Sequence, residues 1–300
     1  MTDVTKGTEI AGYIVGDKLG SGGMGSVYEV FKPGQSERLA MKLMLSEVAS
    51  KEEYRKRFQR EASVMETLHH PNILHVHATG EENAVLYIVM DLIKGNSLSD
   101  MLRRQRFSPR DTSLILNQIA QALDYAHDMG VLHRDVKPGN ILIAYRHQDE
   151  QPYAHAYLVD FGLAKALNSI SLTGTHVSLG TPEYMPPEQV LAQTITAQSD
   201  IYALGIVIYR MLVGQLPFHA KRADLVAQMQ IEKNPPALSS LRPDFPTALE
   251  EVVLRALEKK PEKRYQVAGE FSAAFAHALE LLSPAARDQD FWAAPQPVTS

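Results

Sequence analysis

The chain has no cysteine in its 300 residues. That excludes disulfides, thiolate catalysis and cysteine-based zinc sites, and it suits a reducing compartment. Charge of neither sign is in large surplus. The net charge is -5 with 22% charged residues, which argues against a nucleic-acid or membrane-surface footprint and against disorder. Long apolar stretches are missing too. Ile201–Tyr209 is apolar for nine residues and stops at Arg210, well short of the roughly 20 that a membrane span needs. A buried core helix is the better reading there. Met1-Thr2-Asp3-Val4 lacks the apolar segment of a secretory signal. What the chain does have is 45% hydrophobic content, enough for a large core in one or two compact units.

The first part of the chain reads as strands. Ile10 to Leu19, Val27 to Phe31 and Arg38 to Leu43 are short alternating or β-branched runs between Gly and Pro breakers. Lys51 to Leu68 is charged and helical, with Phe58, Ala62 and Met65 on one apolar face. Val85 to Asp91 is a compact apolar strand leading into the turn Lys94-Gly95-Asn96. Helical patterns then dominate. Pro109 to Met129 ends at Gly130, Ser199 to Leu212 ends near Gly214, and Thr247 to Glu258 and Gln266 to Leu282 follow. A small strand-rich part thus precedes a larger helical one, in an α+β chain without internal repeats. The Ala/Pro-rich segment from Ser283 to Ser300 reads as a flexible tail in which Phe291-Trp292 could dock.

Three segments carry chemistry. Gly20-Ser21-Gly22-Gly23-Met24-Gly25-Ser26-Val27 fits G-x-G-x-x-G-x-V. A dinucleotide fold is the rival reading, but it needs a helix directly after the glycines. Val27 to Phe31 alternates like a strand instead. Glycines without side chains let backbone approach phosphates closely, whereas an ordinary hairpin turn would not need three at this spacing. Leu39-Ala40-Met41-Lys42 places a lysine on a strand, which taken alone is most often a solvated edge residue. The third segment is His133-Arg134-Asp135-Val136-Lys137-Pro138-Gly139-Asn140, followed by Asp160-Phe161-Gly162. It supplies a carboxylate, a lysine, an asparagine and a second acid in that order. Read singly, Asp135 could be a helix-capping or salt-bridged surface acid.

Together these segments resemble the signature set of protein kinases, and the chain is similar to the bacterial, eukaryotic-like Ser/Thr protein kinases from about Ile10 to about Leu282. The resemblance implies a bilobal fold. A small antiparallel-sheet lobe with one helix spans 10–90, a hinge spans 91–95, and a mainly helical lobe spans 96–282, between an N-terminal extension at 1–9 and the tail at 283–300. It implies transfer of the γ-phosphoryl of ATP to serine or threonine hydroxyls of protein substrates with Mg²⁺, or Mn²⁺ in its place. The Gly-rich segment would cover the phosphates and Lys42 would bridge two of them, oriented by Glu61. Glu61 holds the matching position rather than Glu52, Glu53 or Glu66. Leu19, Val27, Ala40 and Leu142 would sandwich the adenine, with Met90 behind it and the backbone of Asp91 and Ile93 on the base. Asp135 would take or orient the hydroxyl proton, Lys137 would reach the transferring phosphate, and Asn140 and Asp160 would hold the metal.

The resemblance also implies a switch. Leu163 to Glu188 looks like an activation segment ending in Gly180-Thr181-Pro182-Glu183-Tyr184-Met185-Pro186-Pro187-Glu188, with proline where the family usually has alanine. Thr181 would hold Asp135 and Lys137, Glu188 would form a buried pair with Arg264, and Asp200 would hold the catalytic-loop backbone. Arg134 lacks an obvious partner, and Thr173 and Thr175 are the expected autophosphorylation sites among several loop hydroxyls. The segment 145–152 is longer and more polar than usual, and is expected to protrude as a loop between two strands. His69, His70, His75 and His77 fit no standard zinc spacing, and His70-Pro71-Asn72-Ile73 reads as a turn. The expected location is the cytoplasm, or the cytoplasmic face of a membrane if a C-terminal anchor was removed. Two copies could meet through their small lobes. A nucleotide-holding scaffold without turnover and a small-molecule kinase are the competing readings. The complete catalytic set disfavours the first, and the Gly-rich loop with the long activation segment disfavours the second.

Overall fold

The computed structural model describes residues 4–22, 25–44, 52–148, 151–161 and 182–292. These fall into two compact units, one over residues up to 94 and one over 95–161 and 182–292. None of the described helices is long and apolar enough to cross a membrane.

The first unit is a six-stranded antiparallel sheet and one helix. Its strands are β1 (Glu9–Ile10), β2 (Tyr13–Gly22), β3 (Gly25–Phe31), β4 (Leu39–Met44), β5 (Val76–Glu82) and β6 (Val85–Asp91), in the order β1-β2-β3-β4-β6-β5. Strand alternation sorts its side chains. Tyr28, Val30, Leu39, Met41, Leu43 and Val89 join Ile10, Tyr13 and Val15 in one buried cluster. The intervening residues of β3 and β4, among them Val27, Ala40 and Lys42, therefore lie on the opposite face. Helix α1 (Glu52–Met65) packs on β5 and buries Phe58, Ala62 and Met65, the face read from the sequence. β5 itself was not anticipated, because a strand beginning Val-His-Ala-Thr-Gly has little apolar alternation.

The second unit is built around helices. α2 (Leu98–Arg104) and α3 (Pro109–Asp128) come first, with Ser108 and Asp111 forming a capping box at the start of α3. β7 (Asn96–Ser97), β8 (Ile141–Gln148) and β9 (Gln151–Leu158) make a small antiparallel sheet. Here the expected loop at 145–152 is corrected. Tyr145 to Gln148 continue β8 in register with Gln151 to Ala154 of β9, so the extra residues lengthen a hairpin. The reason is a two-residue alternation that polarity obscured. Tyr153, His155 and Tyr157 line one face, with successive ring centroids 6.0 and 4.5 Å apart and the Arg146 guanidinium over Tyr157.

After the short helix α4 (Pro187–Val190), α5 (Ala197–Val213) is buried on nearly every side, as its apolar circumference requires. Gly214 ends it in the left-handed conformation, φ 76°. α6 (Ala223–Glu232), α7 (Leu238–Leu241), α8 (Thr247–Ala256), α9 (Ala268–Glu280) and α10 (Pro284–Asp288) follow. α9 packs along α3. There the Asp124 carboxylate accepts the Ala268 and Gly269 N–H groups, both at 2.7 Å, an anion at a helix N-terminus.

Glu188 and Arg264 form the buried pair the sequence suggested. Nη1 and Nη2 reach the two carboxylate oxygens at 2.7 and 2.9 Å. The remaining guanidinium donors go to the carbonyls of Glu258, Gln198 and Lys259, and Ser199 Oγ donates to Glu188, so all five N–H groups of the fork are satisfied. Burial would raise the Glu188 carboxyl, but hydrogen bonding and charge from Arg264 outweigh it and hold the group below its ordinary value.

The tail expected to be flexible is ordered over 283–292. Phe291 is 2% exposed and meets Phe245 edge-on at 5.1 Å, and Trp292 Nε1 donates to the Met211 carbonyl at 2.8 Å. Its ring also fills the space where a Cβ on Gly214 would lie, 2.7 Å away. Arg110 binds Asp288 and Arg106 binds Asp290. A tail rich in Ala and Pro looks unstructured by composition, yet two aromatic anchors are enough to dock it.

Replacing Glu188 by Ala should cost about 3–5 kcal/mol by leaving Arg264 buried and uncompensated, measured by denaturant unfolding. The Glu188 contribution is expected in full above pH 4.5, the ordinary glutamate value, and lost as pH falls through the lowered folded-state value. Phe291→Ala should cost about 3–5 kcal/mol, whereas Asp288→Ala, which breaks an exposed pair, should cost no more than about 1 kcal/mol.

Candidate active site

In the first unit the strand register brings Val27, Ala40, Lys42 and Met90, four of the expected nucleotide residues, to one sheet face. Val27 lies opposite Lys42, Lys42 opposite Ile88, and Ala40 opposite Met90. Lys42 is 7% exposed, so it is no solvated edge residue. Glu61 is half-buried on α1, and Leu19 stands exposed on β2. Gly20, Ser21 and Gly22 belong to β2 and Gly25 opens β3, so these motif residues are strand residues. Gly23 and Met24 lie outside the described residues.

The motif glycines divide by physical cause. A Cβ on Gly20 or Gly22 would meet nothing within 4 Å, whereas one on Gly25 would lie 2.0 Å from the Leu43 carbonyl. Gly25 thus permits the close crossing of β3 and β4, while Gly20 and Gly22 leave open backbone that a phosphate can approach. At the end of β6, the Asp91 N–H is taken by the His75 carbonyl at 3.0 Å, so Asp91 can offer a base only its carbonyl. Its side chain bonds His77 Nε2 at 2.7 Å, and the rings of His69, His75 and His77 touch in sequence, the first pair tilted and the second edge-on. Burial, ahead of the neighbouring charges, lowers the His75 pKa. Ile93 is half-buried just beyond.

In the second unit the catalytic-loop residues converge. Asp200, in the first turn of α5 and 1% exposed, accepts the His133 N–H at 2.8 Å and the Arg134 N–H at 2.7 Å. It also bonds His127 Nε2 at 2.8 Å. Burial pushes its carboxyl up, but the His127 hydrogen bond, the histidine charges and the Arg134 N–H outweigh this and hold it below the ordinary value. His133 is fully buried against Phe161, with ring centroids 4.6 Å apart. Its Nδ1 accepts the Asp135 N–H, so its proton sits on Nε2 and is donated to the Val159 carbonyl at 2.8 Å. The Val159 N–H in turn donates to the Asn140 carbonyl. One imidazole therefore ties the loop to the segment carrying Asp160.

Asp135 Oδ2 accepts Lys137 Nζ at 2.7 Å and Asn140 Nδ2 at 3.0 Å, and Nδ2 also donates to the Asp135 carbonyl at 2.8 Å. With the amide nitrogen committed, Asn140 turns its carbonyl oxygen to other partners. That hard oxygen and the Asp160 carboxylate suit a divalent cation whose remaining ligands come from phosphates and water. Arg134 and Asp160 hold φ of 66° and 63°. This left-handed backbone is uncommon away from glycine, and such strain gathers at functional sites. Leu142 lies on β8, opposite Ser97 and Tyr157. Thr173, Thr175 and Thr181 lie outside the described residues. His127 and His133 were given no role in the sequence reading. Their signal was a histidine beside apolar residues, which alone reads as ordinary core.

The comparisons with known proteins agree with this geometry. A family model described as "Protein kinase domain" matches residues 13–278. Serine/threonine-protein kinase PknJ of Mycobacterium tuberculosis is 36% identical over 279 residues, 92% of this chain and 47% of PknJ. PknH of the same organism is 39% identical over 262 residues, 87% of this chain and 41% of PknH. The chain spans about half the length of the curated relatives it matches. The crystal structure of the M. tuberculosis PknI kinase domain superposes with a TM-score of 0.73 at 32% identity, covering 92% of this chain and 99% of that one. The family implies ATP and a divalent metal. Motif, strand register, catalytic-loop bonding and these matches converge, and the chain belongs to the protein kinase domain family, among the bacterial, eukaryotic-like Ser/Thr kinases.

Proposed function

We propose that this chain is an active Ser/Thr protein kinase that transfers the γ-phosphoryl of ATP to hydroxyls of protein substrates. The observation that carries this reading is the arrangement at Asp135. Two donors occupy Oδ2, which leaves Oδ1 as the acceptor for a hydroxyl proton. As the hydroxyl oxygen bonds to the γ-phosphorus, the bond to the β-phosphate oxygen breaks and the proton passes to Asp135. Lys137 offsets charge on the moving phosphoryl, and Thr181 is proposed to keep it and Asp135 in place. Gly20 to Gly25 and Lys42, oriented by Glu61, take the triphosphate. Leu19, Val27, Ala40, Met90 and Leu142 take the base, with the Asp91 carbonyl and the Ile93 N–H.

Asn140 and Asp160 would hold Mg²⁺, or Mn²⁺ in its place, because both ligands are hard oxygens that suit either cation. When bound, the metal neutralises phosphate charge. An ATP-dependent reaction in a chain without cysteine supports a cytoplasmic setting. An on-switch is supported by Arg134, whose Nε is buried without a hydrogen-bond partner among the described residues. A half-buried guanidinium with one unsatisfied donor favours an arriving anion, and Thr173 and Thr175 are the proposed phosphate carriers.

With labelled ATP and Mg²⁺, Asp135→Asn should lower turnover about 10²- to 10⁴-fold. A variant as active as wild type would remove Asp135 from the chemistry. The double substitution Thr173→Ala with Thr175→Ala should lower activity about ten-fold or more, the scale of one or two lost charge-assisted bonds. Phosphopeptide mapping that finds neither threonine modified would discard the switch.

A further inference from the structure

Gln230 is a polar residue at a core-facing position of α6. It is 0% exposed, and its neighbours on that helix face are Val226 and Ala227. Burying an amide there is unfavourable unless both ends are bonded. Both are. Gln230 Nε2 donates to the carbonyls of Pro182 and Glu183 at 3.1 and 2.8 Å, and Oε1 accepts from Tyr202 Oη at 2.6 Å. Tyr202 is itself fully buried, and its hydroxyl accepts from Lys259 Nζ at 3.3 Å. Lys259 also donates to the Gln230 carbonyl at 2.8 Å and lies over the Phe218 ring, 4.4 Å from its centroid. Burial, with a smaller push from the Arg264 charge, brings its ammonium down to about 8, as befits a cation held inside a cluster.

The chain of bonds has only one direction. An ammonium can only donate, so Tyr202 accepts from it and gives its own proton to Gln230. The amide oxygen is then occupied, and the amide nitrogen must face Pro182 and Glu183. These residues are the first described ones of the segment read as the switch, Leu163 to Glu188, and two further ties hold the same stretch. Arg210 donates to Tyr184 Oη at 2.7 Å, and Arg264 holds Glu188. The Gln230 tie differs in gripping main chain, so it fixes backbone position whatever side chains the segment carries.

We infer that Lys259, Tyr202 and Gln230 form a positioning relay that fixes the Pro182–Glu183 backbone as the rigid end of the protein-substrate platform. This rests on the kinase reading above. The relay sets how well the acceptor protein is held and leaves nucleotide binding untouched.

The test uses the full chain with Gln230→Met, which keeps the shape and removes the amide, and Tyr202→Phe, which keeps the ring and removes the proton donor. Hydrogen exchange over residues 182–190 and denaturant unfolding would be measured on each. KM for ATP and for a generic Ser/Thr protein substrate such as casein would be measured alongside. Exchange in this segment should quicken in both folded variants. KM for casein should rise about ten-fold, the equivalent of two lost neutral hydrogen bonds, with KM for ATP unchanged. Unaltered exchange overturns the relay regardless of activity. Faster exchange with an unaltered casein KM overturns its role in positioning substrate. A wild-type chain that phosphorylates no protein, with quickened exchange in the variants, keeps the relay as a backbone anchor and sinks the kinase reading instead.

Discussion

The buried Asp200 carboxylate is the constraint on which the catalytic loop depends. A charge with 1% exposure must be met by donors, and the donors nearest the start of α5 are main-chain N–H groups of His133 and Arg134. Meeting that demand bends the loop so that Arg134 takes a left-handed φ of 66°, a conformation a free chain would leave. The next residue is Asp135, whose carboxylate is thereby presented to Lys137 and Asn140. One unfavourable burial, offset by three hydrogen bonds, thus organises the residues on which phosphoryl transfer would turn. α5 can carry it because its apolar circumference roots it in the core, leaving its first turn as a fixed platform.

The same logic recurs further along the chain. The stretch from Pro182 to Glu188 is held by chemically distinct ties: amide to backbone at Gln230, guanidinium to phenol at Tyr184, and a forked ion pair at Glu188. Each comes from a residue far along the sequence, so none could form before the helices of this unit pack. Such long-range polar ties are satisfied together or not at all, which favours one arrangement of the segment over many.

Much of this was legible from the sequence because its signals were local. α1, α3 and α5 announced themselves by period and caps, and the paired roles of Glu188 with Arg264 and of Asp200 with the loop backbone followed from the family pattern. Other features were hidden for stated reasons. β5 and the end of the β8–β9 hairpin carry polar side chains on a strand alternation, and polarity reads as loop. Gly25 looked like its two motif neighbours, yet only the approach of the Leu43 carbonyl shows that packing fixes it. Gln230 and His127 offered a single polar residue on a helix, and their importance lies in partners tens of residues away.

The docking of Trp292 has an optical consequence. It is the only tryptophan in the chain, and its indole sits against Gly214 with its N–H on the Met211 carbonyl. Indole emission from this protein therefore reports on one place, the C-terminal end of α5. The first unit contains no indole, so a loss of order confined to it would pass unseen in that signal, whereas release of the last described residues would register before any helix melted.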